Sequence, residues 1–291
     1  MKMRFPLVNH TVWYMLATIP FLVVQAQRET SVKITHVAGN IHMLEGRGGN
    51  IAVSAGEDGV LIVDSQFANL APQIEEGLDK LTKKNGLKYL LNTHWHGDHT
   101  GGNAHFGQKA TIIAHENVRT RLKNKSGTPK SALPVITFRE SSSLHFNGEE
   151  IRMLHLGAGH TDGDVIIWFT GSNVIHMGDQ FFNGRFPFVD LGSGGRVIGY
   201  QKNVDKVLQS LPEGALIIPG HGPLGKREDL ERFAVMLKET INPVRQSISL
   251  GKSLENIKAM GVPDRYKTWG VGFINTSRWL EMIYNSLTSE Q

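Results

Sequence analysis

The chain contains no cysteine in its 291 residues. That excludes disulfides, thiolate metal ligands, a cysteine nucleophile and a lipid on an N-terminal cysteine. Zinc held here would have to be bound without thiolate, through imidazole and carboxylate. Also lacking, beyond the first 26 residues, is any apolar run long enough to span a membrane. A dominant charge sign is missing as well. The 31 Lys and Arg against 27 Asp and Glu give a formal net charge of +4, and the basic residues are scattered. Their densest cluster, Arg119 to Lys125, holds four in seven positions. It falls on an expected helix and reads as a solvated face rather than a nucleic-acid patch, with no nucleic-acid recognition motif beside it.

What is present begins with a leader. Lys2 and Arg4 precede an apolar stretch from about Val12 to Val24, which ends in Val24-Gln25-Ala26 with small residues where a signal peptidase reads. Thr18 and Pro20 interrupt the stretch, and it is shorter than the ~20 residues of a spanning helix. The expectation is a secretory signal cut after Ala26, no stable membrane insertion afterwards, and a periplasmic or secreted product. Losing Lys2 and Arg4 from the 31 basic residues leaves 29 against 27 acidic ones, so the mature chain is nearly neutral.

Residues 27–291 read as one domain. Short β-type runs at Val32–Val37, Ile41–Leu44, Asn50–Ser54 and Val60–Asp64, punctuated by glycine-rich turns, predict an antiparallel meander. Ile74, Leu78 and Leu81 at helical spacing predict a helix over Pro72–Lys83. Strands at Leu87–Leu91 and Ala110–Ala114 follow, then a helix from Glu116. The second half repeats the order, with strands at Ser143–Phe146, Glu150–Leu156, Val165–Phe169 and Val174–His176, a helix over Val197–Leu211 and a strand at Ala215–Ile218. Two β-rich halves with outer helices predict an α/β fold, a four-layer αββα sandwich. From about Lys226 the pattern is helical, with breaks expected at Pro243, Pro263 and Gly270 to Gly272.

His94-Trp95-His96-Gly97-Asp98-His99 crowds four potential ligands into six residues directly after an apolar strand. A strand's two-residue period puts His94 and His96 on one side. Gly97 is expected to turn the chain sharply, so that Asp98 and His99 address a second point. Imidazole and carboxylate are the ligands zinc favours when thiolate is absent. Packing does not readily explain four such groups at this spacing. Three further candidates sit at expected strand ends: His160 in the glycine-rich Gly157 to Asp164, Asp179 after Met177-Gly178, and His221 in Pro219-Gly220-His221-Gly222.

These motifs, in this order over about residues 32–225, resemble the metallo-β-lactamase superfamily. The resemblance implies two zinc ions: His94, His96 and His160 on one, Asp98, His99 and His221 on the other, with Asp179 bridging. It also implies that Asp64 supports the metal loop; the alternative is an ordinary turn aspartate. His115 and His176 are candidate partners to the ligands, while His36, His42, His105, His145 and His155 read as ordinary surface or core residues. Ser193 reads as a turn residue, and no Gly-x-Ser-x-Gly nucleophile motif is present.

The implied chemistry is attack by a zinc-activated hydroxide on a carbonyl or phosphoryl centre of a small molecule, with Asp98 orienting the nucleophile or shuttling a proton. A lactam, lactone, ester or thioester is the expected substrate. Zinc β-lactamases of the family usually carry cysteine or serine where this chain has Asp179, which resembles the glyoxalase II, lactonase and arylsulfatase-like branches. β-Lactamase activity therefore stands among several expectations. Iron competes with zinc, because some members use a di-iron centre for redox chemistry, generally beside a flavin domain. A redox or sulfur-metabolism enzyme and a non-catalytic metal-binding module are the alternative readings. Phe181 to Phe188 either walls the pocket, with Arg185 meeting a substrate carboxylate, or packs on the helical tail, whose Trp269, Phe273 and Trp279 cover the cleft or simply pack.

Overall fold

A computed structural model describes residues 32–81 and 86–289, with Met1 and Met3. The rest of the expected leader, and residues 82 and 83 of the expected first helix, lie outside the described residues.

Strands β1 (Lys33–Ala38), β2 (Ile41–Glu45), β3 (Ile51–Gly56) and β4 (Gly59–Val63) form the antiparallel meander. Three parallel strands extend it: β5 (Leu87–Leu91), β6 (Thr111–His115) and β7 (Ile136–Phe138). Helix α1 (Ala71–Leu81) connects β4 to β5, the short α2 (Gly97–Thr100) and α3 (Asn103–Phe106) lie between β5 and β6, and α4 (Glu116–Asn124) connects β6 to β7. The second sheet takes β8 (Ser141–Phe146), β9 (Glu149–Leu154), β10 (Ile166–Phe169) and β11 (Val174–Phe182) as antiparallel neighbours. After α5 (Val197–Ser210), β12 (Leu216–His221) joins β11 in parallel, and β13 (Gly225–Lys226) closes the edge.

The layers follow from side-chain alternation. Gly59-Val60-Leu61-Ile62-Val63 is apolar throughout because both its faces are covered. Leu61 and Val63 pack between the sheets, with Met43, Ile151, Ile167 and Ile218. Val60 and Ile62 point the other way, onto Ile74 and Leu78 of α1. On the far side, α5 packs with α6 (Arg227–Ser249), α7 (Leu254–Met260) and α8 (Thr276–Ser289) over the outer face of the second sheet, where Phe233, Leu237, Trp279 and Ile283 meet Ile175 and Ile217. The architecture is the expected αββα sandwich with helical additions at the C-terminus. No helix among the described residues is long and apolar enough to cross a membrane.

Two elements differ from expectation. Helix α6 runs through Pro243 without ending there. Proline in a helix interior costs ~3 kcal/mol or more, but the buried face of Leu237, Thr240, Ile241 and Val244 continues on both sides of it and outweighs that cost. Strand β11 continues past His176 to Phe182, so Asp179 lies within a strand rather than after one. The pairing with β12 shifts register on either side of Gly178, whose φ of +51° makes a bulge.

Candidate metal centre

Open sheets gather ligands at the carboxyl ends of parallel strands. Asp64 follows β4, His94 to His99 follow β5, and His221 ends β12 beside the bulged middle of β11. Strand β5 stops at Leu91, so His94 and His96 lie in a loop and are not paired by strand alternation. They converge nevertheless, with ring centroids 4.8 Å apart. Gly97 is not in the left-handed region, and a Cβ there would meet only the end of Lys125. The turn is made by His96, whose extended backbone (φ −63°, ψ 151°) enters α2 and puts Asp98 and His99 in its first turn.

All seven candidate ligands come together. His94, His96, His160 and Asp179 form one group and Asp98, His99 and His221 a second, the ligand atoms within each lying within 4.8 Å of one another. Asp179 stands between them. Its Oδ2 is 3.4 Å from His160 Nε2 and 3.9 Å from His94 Nε2. Its Oδ1 is 3.0 Å from His99 Nε2 and 3.4 Å from His221 Nε2. His221 Nε2 is also 3.3 Å from Asp98 Oδ2. Gly220 is required here, since a Cβ at that position would overlap Asp179 Oδ1.

The outer nitrogens of the rings reveal what the inner ones want. His160 Nδ1 lies 2.7 Å from the Phe188 carbonyl and therefore donates to it. His96 Nε2 lies 2.9 Å from Asp190 Oδ2 and His99 Nδ1 2.7 Å from Asp64 Oδ2, again as donors. The Thr93 hydroxyl donates to Asp64 Oδ2 at 2.7 Å, so it accepts from His94 Nδ1 at 3.0 Å. A ring in its neutral form is thus left with a bare nitrogen facing inward. His160 Nε2 and His96 Nδ1 are 2.8 Å apart, close enough to share a proton or to address one cation. His94 Nε2 is buried without a hydrogen-bond partner, and buried His99 Nε2 and Asp179 Oδ1 face each other at 3.0 Å. Such a donor set fits a pair of divalent metal ions.

Charge divides the two groups in the metal-free protein. Burial holds His94 well below the ordinary histidine pKa and lowers His160 to about 4, so both stay neutral. Burial also opposes protonation of His99 and His221, but neighbouring carboxylates prevail. Asp179 and Asp64 raise His99 well above its usual value, and Asp179 and Asp98 raise His221 to about 9. Asp179, although burial resists its ionisation, is held far below the usual carboxylate range by His99, His221 and His160.

Several supporting residues were not foreseen from sequence. Asp190 anchors His96 and also accepts from the Ser193 backbone at 3.1 Å, capping a short 3-10 helix, Leu191–Ser193, so Ser193 ends a helical turn rather than lying in an isolated one. Thr93 ties His94 to Asp64, which also accepts from Thr93 N at 2.8 Å. Asn50 bonds the carbonyls of Pro219 and Gly222, each at 2.9 Å, and steadies the His221 loop. The Tyr200 hydroxyl donates to the Asp179 carbonyl at 2.7 Å. Buried Asp164 accepts from Thr161 N and Oγ1 and from Gln180, fixing the loop that carries His160. None of these has a local sequence signature; only the proximity of Asp164 to His160 in a glycine-rich loop was a hint. His176 bridges the Asn50 carbonyl and the Gly178 amide, so it shapes the bulge under Asp179. His115 does not contact the centre: it caps α4 and stacks on His155 at 4.2 Å. Arg121 of the basic cluster is paired with Asp162.

A cavity of about 560 Å³ opens over both groups. Asp98 and His221 are the most accessible of the ligands at its floor, and Phe182, Phe188, Arg185 and Phe273 line its walls. The aromatic segment serves both expected roles: Phe182 stacks on His221 at 5.1 Å, while Phe186 stacks on the buried Trp279 at 6.1 Å.

Residues 44–221, more than half of the chain, match the family model described as the metallo-beta-lactamase superfamily. The chain is 25% identical over 160 residues to a metallo-beta-lactamase type 2 of Bacteroides fragilis, covering 55% of this chain and 61% of that protein. It is 26% identical over 167 residues to a hydroxyacylglutathione hydrolase of Prochlorococcus marinus (strain MIT 9301), covering 55% and 62%. It thus spans about three fifths of the length of these curated relatives. Among solved structures, a metallo-beta-lactamase from Pontibacter korlensis superposes with a TM-score of 0.63 at 16% identity, over 71% of this chain and 99% of that one. The DIM-1 metallo-beta-lactamase gives 0.62 at 22%, over 72% and 97%. Sequence match, sandwich and clustered motifs lead to one assignment: the chain belongs to the metallo-β-lactamase superfamily.

Proposed function

We propose that the chain is an exported, dinuclear metal-dependent hydrolase that opens a lactam, lactone, ester or thioester bond in a small molecule. One observation carries the reading. Asp179 presents one oxygen to His94 and His160 and the other to His99 and His221, as a ligand shared by two cations would. His94, His96 and His160 would hold the first ion and Asp98, His99 and His221 the second. Zinc, the proposed metal, supplies Lewis acidity and activates water at neutral pH.

The chain's own residues do the rest. Asp98 sits at the cavity floor with 27% of its side chain exposed, against 5% for Asp179. Its Oδ2 faces His221 and His99, and the carboxylate is the group assigned to take a proton from the attacking water and return it to the leaving group. Asp179 also lines the cavity but is 5% exposed, and its role is that of a ligand. The Phe182 and Phe188 rings flank the histidines and exclude water beside the scissile bond.

The relatives named as a β-lactamase and as a hydroxyacylglutathione hydrolase support amide-like and thioester substrates respectively. Lys2, Arg4 and the apolar stretch before Ala26 support export. The test is metal content by ICP-MS on protein purified without added metal, followed by assay against nitrocefin, acyl-homoserine lactones, thioesters and phosphodiesters. About two zinc ions per chain with turnover of a carbonyl substrate is the expected result. Iron without zinc would favour the redox alternative, and inactivity across the panel with zinc fully loaded would favour a binding module.

A further inference from the structure

The cavity over the metal centre is completed by residues outside the family-matched stretch. Phe273, in the connection before α8, sits at its rim and meets Phe188 edge-on at 6.0 Å. Phe188 in turn contacts the rings of His96 and His160, each at 5.8 Å. An aromatic wall therefore runs from the C-terminal helices down to the ligands. Phe273 is 74% exposed and neighbouring Val271 85%, so the wall ends in side chains free to meet a ligand. Arg278 holds Phe273 in place, with its guanidinium 4.8 Å from the ring and a hydrogen bond to the Phe273 carbonyl.

Charge completes the picture. Arg47 and Arg185 also line this cavity. Both side chains are exposed, and neither has an ion-pair partner among the described residues, whereas Arg121, Arg139 and Arg152 are paired. With Asp98 and Asp179 committed to the floor, the mouth of the cavity is cationic and its wall apolar.

We propose that the cleft selects an amphipathic organic anion: an acyl or aryl body packed against Phe273, and an acidic group held by Arg185 and Arg47. Phe273 is thereby a specificity-determining residue contributed by the C-terminal helices. The proposal rests on the hydrolase reading only in taking this cleft as the place where substrate reacts.

Two dyes of nearly equal shape test it by fluorescence titration of the full, zinc-loaded protein: 8-anilinonaphthalene-1-sulfonate, an anion, and N-phenyl-1-naphthylamine, its neutral counterpart. The anion should bind about fivefold or more tightly than the neutral dye. Phe273→Ala should weaken both about tenfold. The double variant Arg47→Gln/Arg185→Gln should bring the anion to the affinity of the neutral dye and leave the latter unchanged. Equal affinities in the native protein, no saturable binding, or constants within twofold after Phe273→Ala would overturn the proposal. No bond is cleaved in this measurement, so its outcome is separate from that of the substrate panel.

Discussion

His96 and Asp190 are 94 positions apart in sequence and meet at 2.9 Å between Nε2 and Oδ2. That contact fixes the ring so that Nδ1 faces His160. Removing such a carboxylate usually costs 10–100-fold in metal affinity. Asp190→Ala is expected to weaken zinc binding by about that factor while the circular dichroism spectrum stays unchanged. Competition against a chromophoric chelator reads the loss, and native affinity in the variant would remove Asp190 from this role.

Metal uptake should release protons. His99 and His221 carry protons in the metal-free protein, His221 with a pKa of about 9, and a metal needs their Nε2 atoms bare. Apparent affinity should climb with pH, about tenfold per unit for each competing proton, with the contribution of His221 levelling off above about 9. The same shift acts on folding without metal. The stabilisation from His221 is complete below its ordinary value of 6.5 and disappears as pH rises through about 9. Calorimetric titration with zinc in two buffers of different ionisation enthalpy measures the released protons; a buffer-independent heat at pH 7 would contradict it.

Asp98→Ala removes both a ligand oxygen and the proposed proton carrier at the cavity floor. Turnover is expected to fall by at least 10²-fold, and zinc stoichiometry to drop toward one ion, with the fold intact. A variant that keeps two ions and full activity would show that Asp98 does neither job.

Gly178→Ala tests the bulge beneath Asp179. At φ +51° a side chain is already disfavoured, and its Cβ would lie 2.6 Å from the Cβ of Thr93. The expected loss is about 1–3 kcal/mol in urea unfolding, together with weaker zinc binding because Thr93 orients His94. Loss of stability with unchanged zinc affinity would separate the bulge from the site.

The ligand motifs were legible because metal chemistry demands particular side chains at close spacing, and cysteine was not there to compete. The sheets were legible because alternation such as that of Val60 to Val63 survives in any context. Local conformation was less so. Gly97 reads as the hinge, yet the chain turns at His96 by ordinary helix entry. The stretch Gly178-Asp179 reads as the end of a strand, but a left-handed glycine lets β11 continue beyond it. Asp190, Thr93 and Asn50 escaped notice for another reason. A lone carboxylate, hydroxyl or amide acquires its role only when distant loops fold against the histidines.

The ligands divide between the sheets: His94, His96, Asp98 and His99 follow the first, while His160, Asp179 and His221 belong to the second. The polypeptide passes from one to the other once, at Arg139-Glu140 between β7 and β8. Each proposed ion would thus have ligands from both sides of that junction, so occupancy would act as a rivet across the seam. A chain severed there would yield two fragments with incomplete coordination, and regained zinc binding would report their reassembly.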